Sequence, residues 1–548
     1  MVDVSTWNFS PDSAFLVGPI VGRVTANTAR MMVEASANST ASISVMSDGK
    51  SAGGAAVTGV TADAASTEDV NVAVASSMEV QLTAKKPAAI ELTGLQPGKR
   101  VTVNIKIGAE TRTASFTTPD PARRDWHVGL VSCNKISTMK EIGLWEKLAK
   151  AAPSMDVMLH MGDQVYGDED FHRGGKNEAE IDTKQEAREG CWGRCKEIVT
   201  APDVGTNWEP LREQCREIYA NLYRATWSHP PTASALAAVS NLMVLDDHEI
   251  VDDTGDVPEH LDSTTWQFFV MGCAYQAYLA YQGQLNFPIK DLEDMEQKVY
   301  YHTHLFPNVG LVMCDVRLQR SLHRHQQSGA EWTDHEYLGP RQFVDLKAAM
   351  EDDFKDCTSV IVVSPTPLLF VSSAAASLIV HASDDIIGSW SNKKFKHEQK
   401  EFLTLMTNWQ AADPKRAVCI AAGDIHIGGF ADVQLESGGP ILNQLVASAV
   451  GNLPEASVGT LNLVGAPVLA LADAHVSMRV HHNSWVFEPN YGILHISPPS
   501  GDGPDGERPR MVGELYSKEK TVTHEFQYSI SGGKMGEVMH GCKCCTIS

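Results

Sequence analysis

Residues His160–Asp170 read HMGDQVYGDED and close the segment DVMLHMGD, an apolar run that stops at Gly162-Asp163. A short apolar run ended by Gly-Asp describes a buried strand opening into a loop, because glycine permits a tight turn that aims the next carboxylate off the strand axis. Upstream, WHVGLVSCN reads as another buried strand, and TMKEIGLWEKLAKAA between the two carries helical periodicity at Ile142, Leu144, Leu148 and Ala149. Cys133 and Asp163 lie about thirty residues apart, the length of two parallel strands joined by a right-handed crossover. Downstream, SNLMVLDDHE ends in Asp247-His248 and AVCIAAGDIH ends in Asp424 and His426, with Gly423 repeating the role of Gly162. Open α/β sheets bind ligands beyond the carboxyl ends of their strands, so these four ends are expected to face one crevice.

Taken singly, an Asp after a strand is commonly a turn or helix cap, and a lone His is commonly a core residue. Thiol, phenol (Tyr166), carboxylate and imidazole delivered to one cleft instead favour a metal site over a structural polar network.

The chain around this unit has 548 residues, long enough for two or more domains. A net charge of -23 and an isoelectric point near 5.3 argue against nucleic-acid binding and against nonspecific attraction to anionic membranes. The start, MVDVSTWNFSPDS, has neither the basic nor the apolar region of a signal peptide, which predicts a cytoplasmic protein. Polar residues interrupt TWQFFVMGCAYQAYLAYQGQLN throughout, so a buried amphipathic helix is expected there rather than a bilayer span. Eleven cysteines, mostly dispersed, predict reduced thiols. Cys191 and Cys195 in CWGRC, with Cys215, match no recognised zinc spacing and read as inert buried thiols.

Before Pro119 the grammar is different. Alternating runs such as ARMMVEASA, ASISVMS, SMEVQLT, VTVNIKIG and TRTASFTT, separated by turn residues, predict an all-β sandwich. Its second half resembles a fibronectin type III domain, whose L-x-P-G-x-x-Y corner is matched by Leu95, Pro97 and Gly98, with Val101 in place of the tyrosine. The Ala/Ser/Gly-rich stretch SDGKSAGGAAVTGVTADAASTED reads as a long loop within it. The expected organisation is an N-terminal arm (1–14), the sandwich (15–120), an α/β metal-binding domain (125–528) and a flexible tail (529–548).

The segments SCN, HMGDQVYGDE, LDDHEIVDD, CDVRLQRS, SPTPLLF, GDIHIGGF, VASAVGN and EPNYGILHI follow one another between about Trp126 and Ser497. In content and order they resemble the PhoD-like alkaline phosphatases, a branch of the metallophosphoesterases. The resemblance implies a four-layer αββα sandwich, preceded by the all-β domain, with a metal cluster at the strand ends. It implies Cys133, the metal-bridging Asp163, Tyr166, Asp247, Asp424 and His426 as ligands; Asp247 stands where relatives carry Asn. His248 would assist phosphate binding or protonate the leaving oxygen. Arg317 and Arg320 would clamp phosphate oxygens, a role weighed against an ion pair with local carboxylates. Asp315 would orient Arg317, whereas His323 and His325 read as loop surface. Most metallophosphoesterases begin with Asp-x-His, which Ser132-Cys133-Asn134 replaces here as in the PhoD branch. Thiolate, phenolate and imidazole suit Fe3+, and carboxylates suit Ca2+ or another divalent cation.

These roles imply hydrolysis of phosphomonoesters, with phosphodiesters as a further class, by attack of metal-activated hydroxide and without a protein nucleophile. The alternative is a catalytically inactive, membrane-tethered binding or scaffold protein, which has no need of six metal-competent side chains. No G-x-S-x-G elbow supports a serine hydrolase. The last residues, Cys545-Thr546-Ile547-Ser548, form a C-a-a-X box, which predicts a prenyl group on Cys545. Cys542 and Cys544 offer the second acylation that stable anchoring requires, placing the enzyme on the cytosolic face of a membrane.

Overall fold

Val128 and Leu130 from Trp126–Val131 lie on the same side as Val157, Leu159 and Met161 from the parallel strand Val157–Met161, and all are fully or nearly fully buried. The alternation has period two because successive strand side chains face opposite sides of a sheet. They belong to the computed structural model of the chain, which describes residues 13–48, 50–51, 56–61, 78–168, 190–255, 257–289, 301–320, 335–368, 389–390, 392–454, 476–481, 484–499, 501 and 506–529. The sheet that they start has six strands in the order Ser240–Val244, Val157–Met161, Trp126–Val131, Asn490–Ser497, Arg510–Ser517 and Thr521–Glu525. The first three are parallel and the last three antiparallel.

A second sheet of seven strands runs His302–Phe306, Val309–Met313, Ser359–Ser364, Ala417–Ala422, Leu442–Val446, Gly429–Leu435 and Val476–Val480. Leu311, Met313, Ile361, Val363, Cys419 and Ala421 from this sheet pack against the inner residues of the first in one apolar cluster. The opposite faces are covered by helices. Met158 and Met243 meet the helices Leu144–Ala151, Arg212–Trp227 and Trp266–Tyr278, while Val360, Val362, Val418 and Ile420 meet Pro340–Ala348 and Lys396–Ala411. The result is the αββα arrangement, with three apolar layers between four layers of structure.

The crossover between Trp126–Val131 and Val157–Met161 contains two helices, Ile136–Ile142 and Leu144–Ala151, divided at Gly143, whose φ of 70° ends the first. The helix Trp266–Tyr278 corrects the amphipathic expectation, since every residue from Phe269 to Tyr278 is buried. A helix with apolar residues all round belongs inside a large core, and this one lies beside Arg212–Trp227 in the same cluster. Among the described residues no helix is long and apolar enough to cross a membrane.

The N-terminal strands form two antiparallel sheets around a separate core that includes Phe15, Val33, Ile90, Val103 and Phe116. Part of the expected long loop is strand: Ala56–Thr61 pairs antiparallel with Ala88–Thr93. Its AVTGVT sequence is rich in β-branched residues, a local preference that outweighed the small-residue composition around it. Val101 is a buried core residue at the position of the expected corner.

The strand Phe15–Val24 joins the two units, because Leu16, Val17 and Ile20 pack into the helical layer while Phe15, Val21 and Val24 stay in the sandwich core. Ser240 Oγ donates to the Gly22 carbonyl at 2.9 Å, Asn241 Nδ2 to that of Val21 at 2.8 Å, and Arg30 Nε to that of Gln284 at 2.9 Å. At the centre of this contact Glu34 and Arg224 form a buried ion pair at 2.6 Å, and Tyr281 donates to Glu34 at 2.8 Å.

Candidate metal centre

Cys133 and Asp163 follow adjacent parallel strands, and their backbone amides are tied into one ladder beyond the sheet: Cys133 N–H donates to the Gly162 carbonyl and Asn134 N–H to that of Asp163. Eight non-glycine residues among those described have positive φ, and five of them, Cys133, Asp163, Asp253, Asp424 and His426, gather here. A left-handed backbone at non-glycine positions is costly and persists only where the surroundings enforce it, so its concentration marks a functional centre. Gly162 completes the turn with a φ of 91°, and a Cβ there would lie 2.5 Å from Asp246 Cβ.

The sequence-predicted residues form a closed circuit. Cys133 Sγ is 3.6 Å from Asp163 Oδ2, and Asp163 Oδ1 accepts from the His248 backbone N–H at 3.2 Å. Arg317 Nη1 is 3.1 Å from Asp247 Oδ2, and its Nη2 is 3.9 Å from Asp424 Oδ1. The Asp424 carbonyl returns to Cys133 Sγ at 3.8 Å. Asp163, Asp247 and His248 each offer a ligand atom within 4.8 Å of the others.

Tyr166 and His426 form the next part of the rim, with Oη and Nε2 3.2 Å apart. Asn452 Nδ2 lies 3.2 Å from Tyr166 Oη and 3.4 Å from His426 Nε2. The Tyr166 ring stacks on His248 at a centroid distance of 4.4 Å. Ser448 Oγ donates to Cys133 Sγ at 3.2 Å and accepts from the His426 backbone N–H at the same distance.

Electrostatics separates these groups. Burial pushes the Cys133 thiol well up, helped by Asp163 and Asp424. Burial also raises Asp163 well above the carboxylate range, with Asp246, Asp247 and Glu249 adding to it against the opposing charge of His248. Burial works against the Asp247 carboxylate too, but Arg317 and His248 hold it below its ordinary value. His426 is pushed down to about 3 by burial, with His248 and Lys135 contributing, so its imidazole is neutral, the form that ligates a cation. Against the effect of burial, Asp168, Asp163 and Asp247 hold His248 well above 6.5. Its Nδ1 is 2.9 Å from Asp168 Oδ1.

The donor set fits a cluster of cations. One thiol, one phenol, a neutral imidazole and several carboxylates converge on a buried centre where acidic groups crowd one another, and a cation relieves that crowding while using every donor type present.

The structure places the arginines differently from each other. Arg317 is buried and committed to Asp246, Asp247 and Asp424, an interior pair rather than a surface one. Arg320 is buried and donates to the Thr254 carbonyl at 3.2 Å. Asp315 does not meet the Arg317 guanidinium as expected: its Oδ1 accepts from the backbone N–H groups of Arg317 and Leu318 at 2.9 and 3.0 Å, which fixes the loop instead. His323, His325 and the tail cysteines Cys542, Cys544 and Cys545 lie outside the described residues.

Sequence reasoning passed over Asp168, Glu249 and Asn452. Glu249 gathers the ligand loops: Oε2 accepts from the N–H groups of Asp163 at 3.0 Å and Asp246 at 2.9 Å, and Oε1 from that of Gln164 at 2.8 Å. Gln282 Nε2, in the π-helical turn Leu279–Gly283, completes the set at 2.9 Å. Two signals could have found them: Asp168 and Glu249 sit two and one residues beyond Tyr166 and His248, and all three lie inside the segments HMGDQVYGDE, LDDHEIVDD and VASAVGN.

A comparison with curated proteins finds no match. Among solved structures, one described as the structure of PhoD aligns over 96% of this chain and 94% of its own, with a TM-score of 0.60 and 14% identity. A purple acid phosphatase from yellow lupin (Lupinus luteus) seeds aligns over 92% of this chain and 73% of its own, with a TM-score of 0.49 and 10% identity. The first of these likenesses shows a shared fold. The model of the PhoD-like phosphatases matches residues 128–477, a span that takes in Cys133, Asp163, Tyr166, Asp247, Asp424 and His426. A match over that much of the sequence settles the family: the chain belongs to the PhoD-like phosphatases.

Proposed function

We propose that this phosphatase hydrolyses phosphomonoesters, and phosphodiesters as a second class, at a centre holding Fe3+ with Ca2+ or another divalent cation. The observation that carries the reading is the circuit from Cys133 through Asp163, Asp247 and Asp424, with Tyr166 and His426 on its rim. Cys133, Tyr166 and His426 are the soft and aromatic donors that suit Fe3+, and Asp163, Asp247 and Asp424 would hold the partner cation. Bound cations would supply a water of lowered pKa and neutralise phosphoryl oxygens during in-line displacement.

The chain's own residues account for the rest. His248, whose charged form is favoured by Asp168, Asp163 and Asp247, is steadied by Asp168 and Tyr166 and would donate a proton to the leaving oxygen. Arg317 keeps the carboxylates of two loops together, and its charge with that of Arg320 favours an anionic substrate within an acidic protein. We propose too that Cys545 is prenylated, with Cys542 or Cys544 acylated, which would hold the enzyme on the cytosolic face of a membrane; the C-a-a-X sequence supports this.

The test is metal analysis of the purified chain with release of phosphate from 4-nitrophenyl phosphate and bis(4-nitrophenyl) phosphate, before and after chelation. Asp163→Asn is expected to abolish turnover in a folded protein, and full activity in that variant overturns the assignment. A phenolate on ferric iron gives a visible charge-transfer band, so a colourless, iron-free, active enzyme removes iron. Cys545→Ser is expected to move the protein from the membrane to the soluble fraction, and an unchanged distribution refutes the anchor.

A further inference from the structure

A second cluster of ligating side chains lies outside the circuit described above. Asp432 comes from the strand Gly429–Leu435, His481 follows the strand Val476–Val480, and His524 comes from Thr521–Glu525 at the edge of the other sheet. One potential ligand atom from each lies within 4.8 Å of the other two.

Two features distinguish this group from an ordinary polar network. Asp432 Oδ1, His481 Nε2 and His524 Nε2 are all buried atoms without a hydrogen-bond partner. Buried polar atoms are normally hydrogen-bonded, and three without a partner in one cluster call for a shared one. His481 Nε2 and Asp432 Oδ1 approach to 3.1 Å without the alignment of a hydrogen bond. That separation is close to the roughly 3.3 Å expected between two ligands of a tetrahedral ion with bonds of ~2.0–2.1 Å.

The surroundings fix the ligands. Arg479, the cross-strand partner of Asp432, pairs with Oδ2 and so turns Oδ1 towards the imidazoles. The His481 backbone N–H donates to the Phe430 carbonyl at 3.1 Å, and the Phe430 ring lies 5.2 Å from that of His524. The two imidazoles are 3.9 Å apart. Asp432 is buried, whereas the His481 side chain is 23% exposed, so the group lies close to the protein surface.

We propose that Asp432, His481 and His524 form a binding site for Zn2+, with two imidazole nitrogens and one carboxylate oxygen as protein ligands and water in the fourth position. Both nitrogen and oxygen donors suit zinc, and three protein ligands with one open position is a known coordination pattern for it. Because the ligands come from both sheets, the ion would clip the outer strand Thr521–Glu525 to Gly429–Leu435. None of the three residues belongs to the circuit of Cys133, Asp163 and Asp424, so the proposal stands apart from the phosphatase reading.

The test uses the full-length protein and Zn2+ itself. Equilibrium dialysis is expected to show one Zn2+ fewer per chain in His524→Ala and in His481→Gln than in the unsubstituted protein, with phosphate-ester turnover unchanged. Should His524→Ala fail to fold, the milder His481→Gln decides the stoichiometry. In the unsubstituted protein, Zn2+ at about 100 times its dissociation constant is expected to slow amide exchange in 429–435 and 521–525 about a hundredfold. Zinc stoichiometry equal to the unsubstituted protein in the folded variants, or exchange in these strands indifferent to Zn2+, overturns the site.

Discussion

Glu249→Ala should separate the scaffolding of the metal centre from its chemistry. The carboxylate accepts from the backbone N–H groups of Asp163, Gln164 and Asp246, and from Gln282 Nε2, all in a buried setting. Removing it leaves three backbone donors without acceptors, each worth about 1–3 kcal/mol, and water entry into the vacated space recovers part of that. A loss of about 3–5 kcal/mol is expected, a large share of the ~5–15 kcal/mol of an ordinary domain. Glu249→Gln isolates the cause. Its amide oxygen can replace Oε2 for Asp163 and Asp246, whereas its NH2 takes the place of Oε1 and offers no acceptor to the Gln164 N–H or to Gln282 Nε2. The Gln164 N–H is then stranded while Gln282 Nε2 keeps the Tyr223 hydroxyl, for a cost of about 1–3 kcal/mol. Urea unfolding gives both values, and metal content with turnover shows whether the loops still present Asp163 and Asp247. If Glu249→Ala costs less than about 1 kcal/mol, or no more than Glu249→Gln, the three N–H groups are not what this carboxylate serves.

Other perturbations probe separate links. His248→Ala is expected to cost about 10²–10⁴-fold in turnover of phenyl phosphate but far less with 4-nitrophenyl phosphate, whose leaving oxygen needs no proton; equal losses on both esters would remove the proton-donor role. Arg224→Met leaves Glu34 buried without its guanidinium and is expected to cost about 3–5 kcal/mol, with Glu34→Gln added to it restoring part, as a denaturation cycle would read. His302, whose Nε2 bonds the Met243 carbonyl at 3.0 Å across the two sheets, is pushed by burial from 6.5 down to about 4. The unfolded chain therefore takes up the proton first. Its contribution is intact above pH 6.5 and is lost as pH falls towards 4, by about 3 kcal/mol in all, and an identical acid limb in His302→Gln would refute this.

Strand ends were readable because their signal is local. Gly162-Asp163 and Gly423-Asp424 each join an apolar run to a glycine and a carboxylate, and the folded chain turns at both places. The crossover length between Cys133 and Asp163 sufficed to predict parallel neighbours. Sheet order was not readable, since it depends on which distant strands pair: nothing local says that Asn490–Ser497 lies beside Trp126–Val131. The same limit applies to Glu249 and Gln282, whose importance arises from contacts between separate loops. Arg317 was legible as a charge near the site, but its burial among Asp246, Asp247 and Asp424 follows from tertiary packing. The segment Ala56–Thr61 shows composition misleading in the opposite sense, because Ala and Gly around it concealed a paired strand.

Tyr281 and Gln282 are consecutive in the π-helical turn Leu279–Gly283, and they reach in different directions. One holds Glu34 of the N-terminal sandwich, and the other holds Glu249 beneath the ligand loops. Cutting the gene between its all-β and α/β parts would therefore disturb the support of the reaction centre, although no atom of the sandwich touches that centre through these bonds. One turn of helix thus braces both halves, and a fragment lacking either would have to replace that brace.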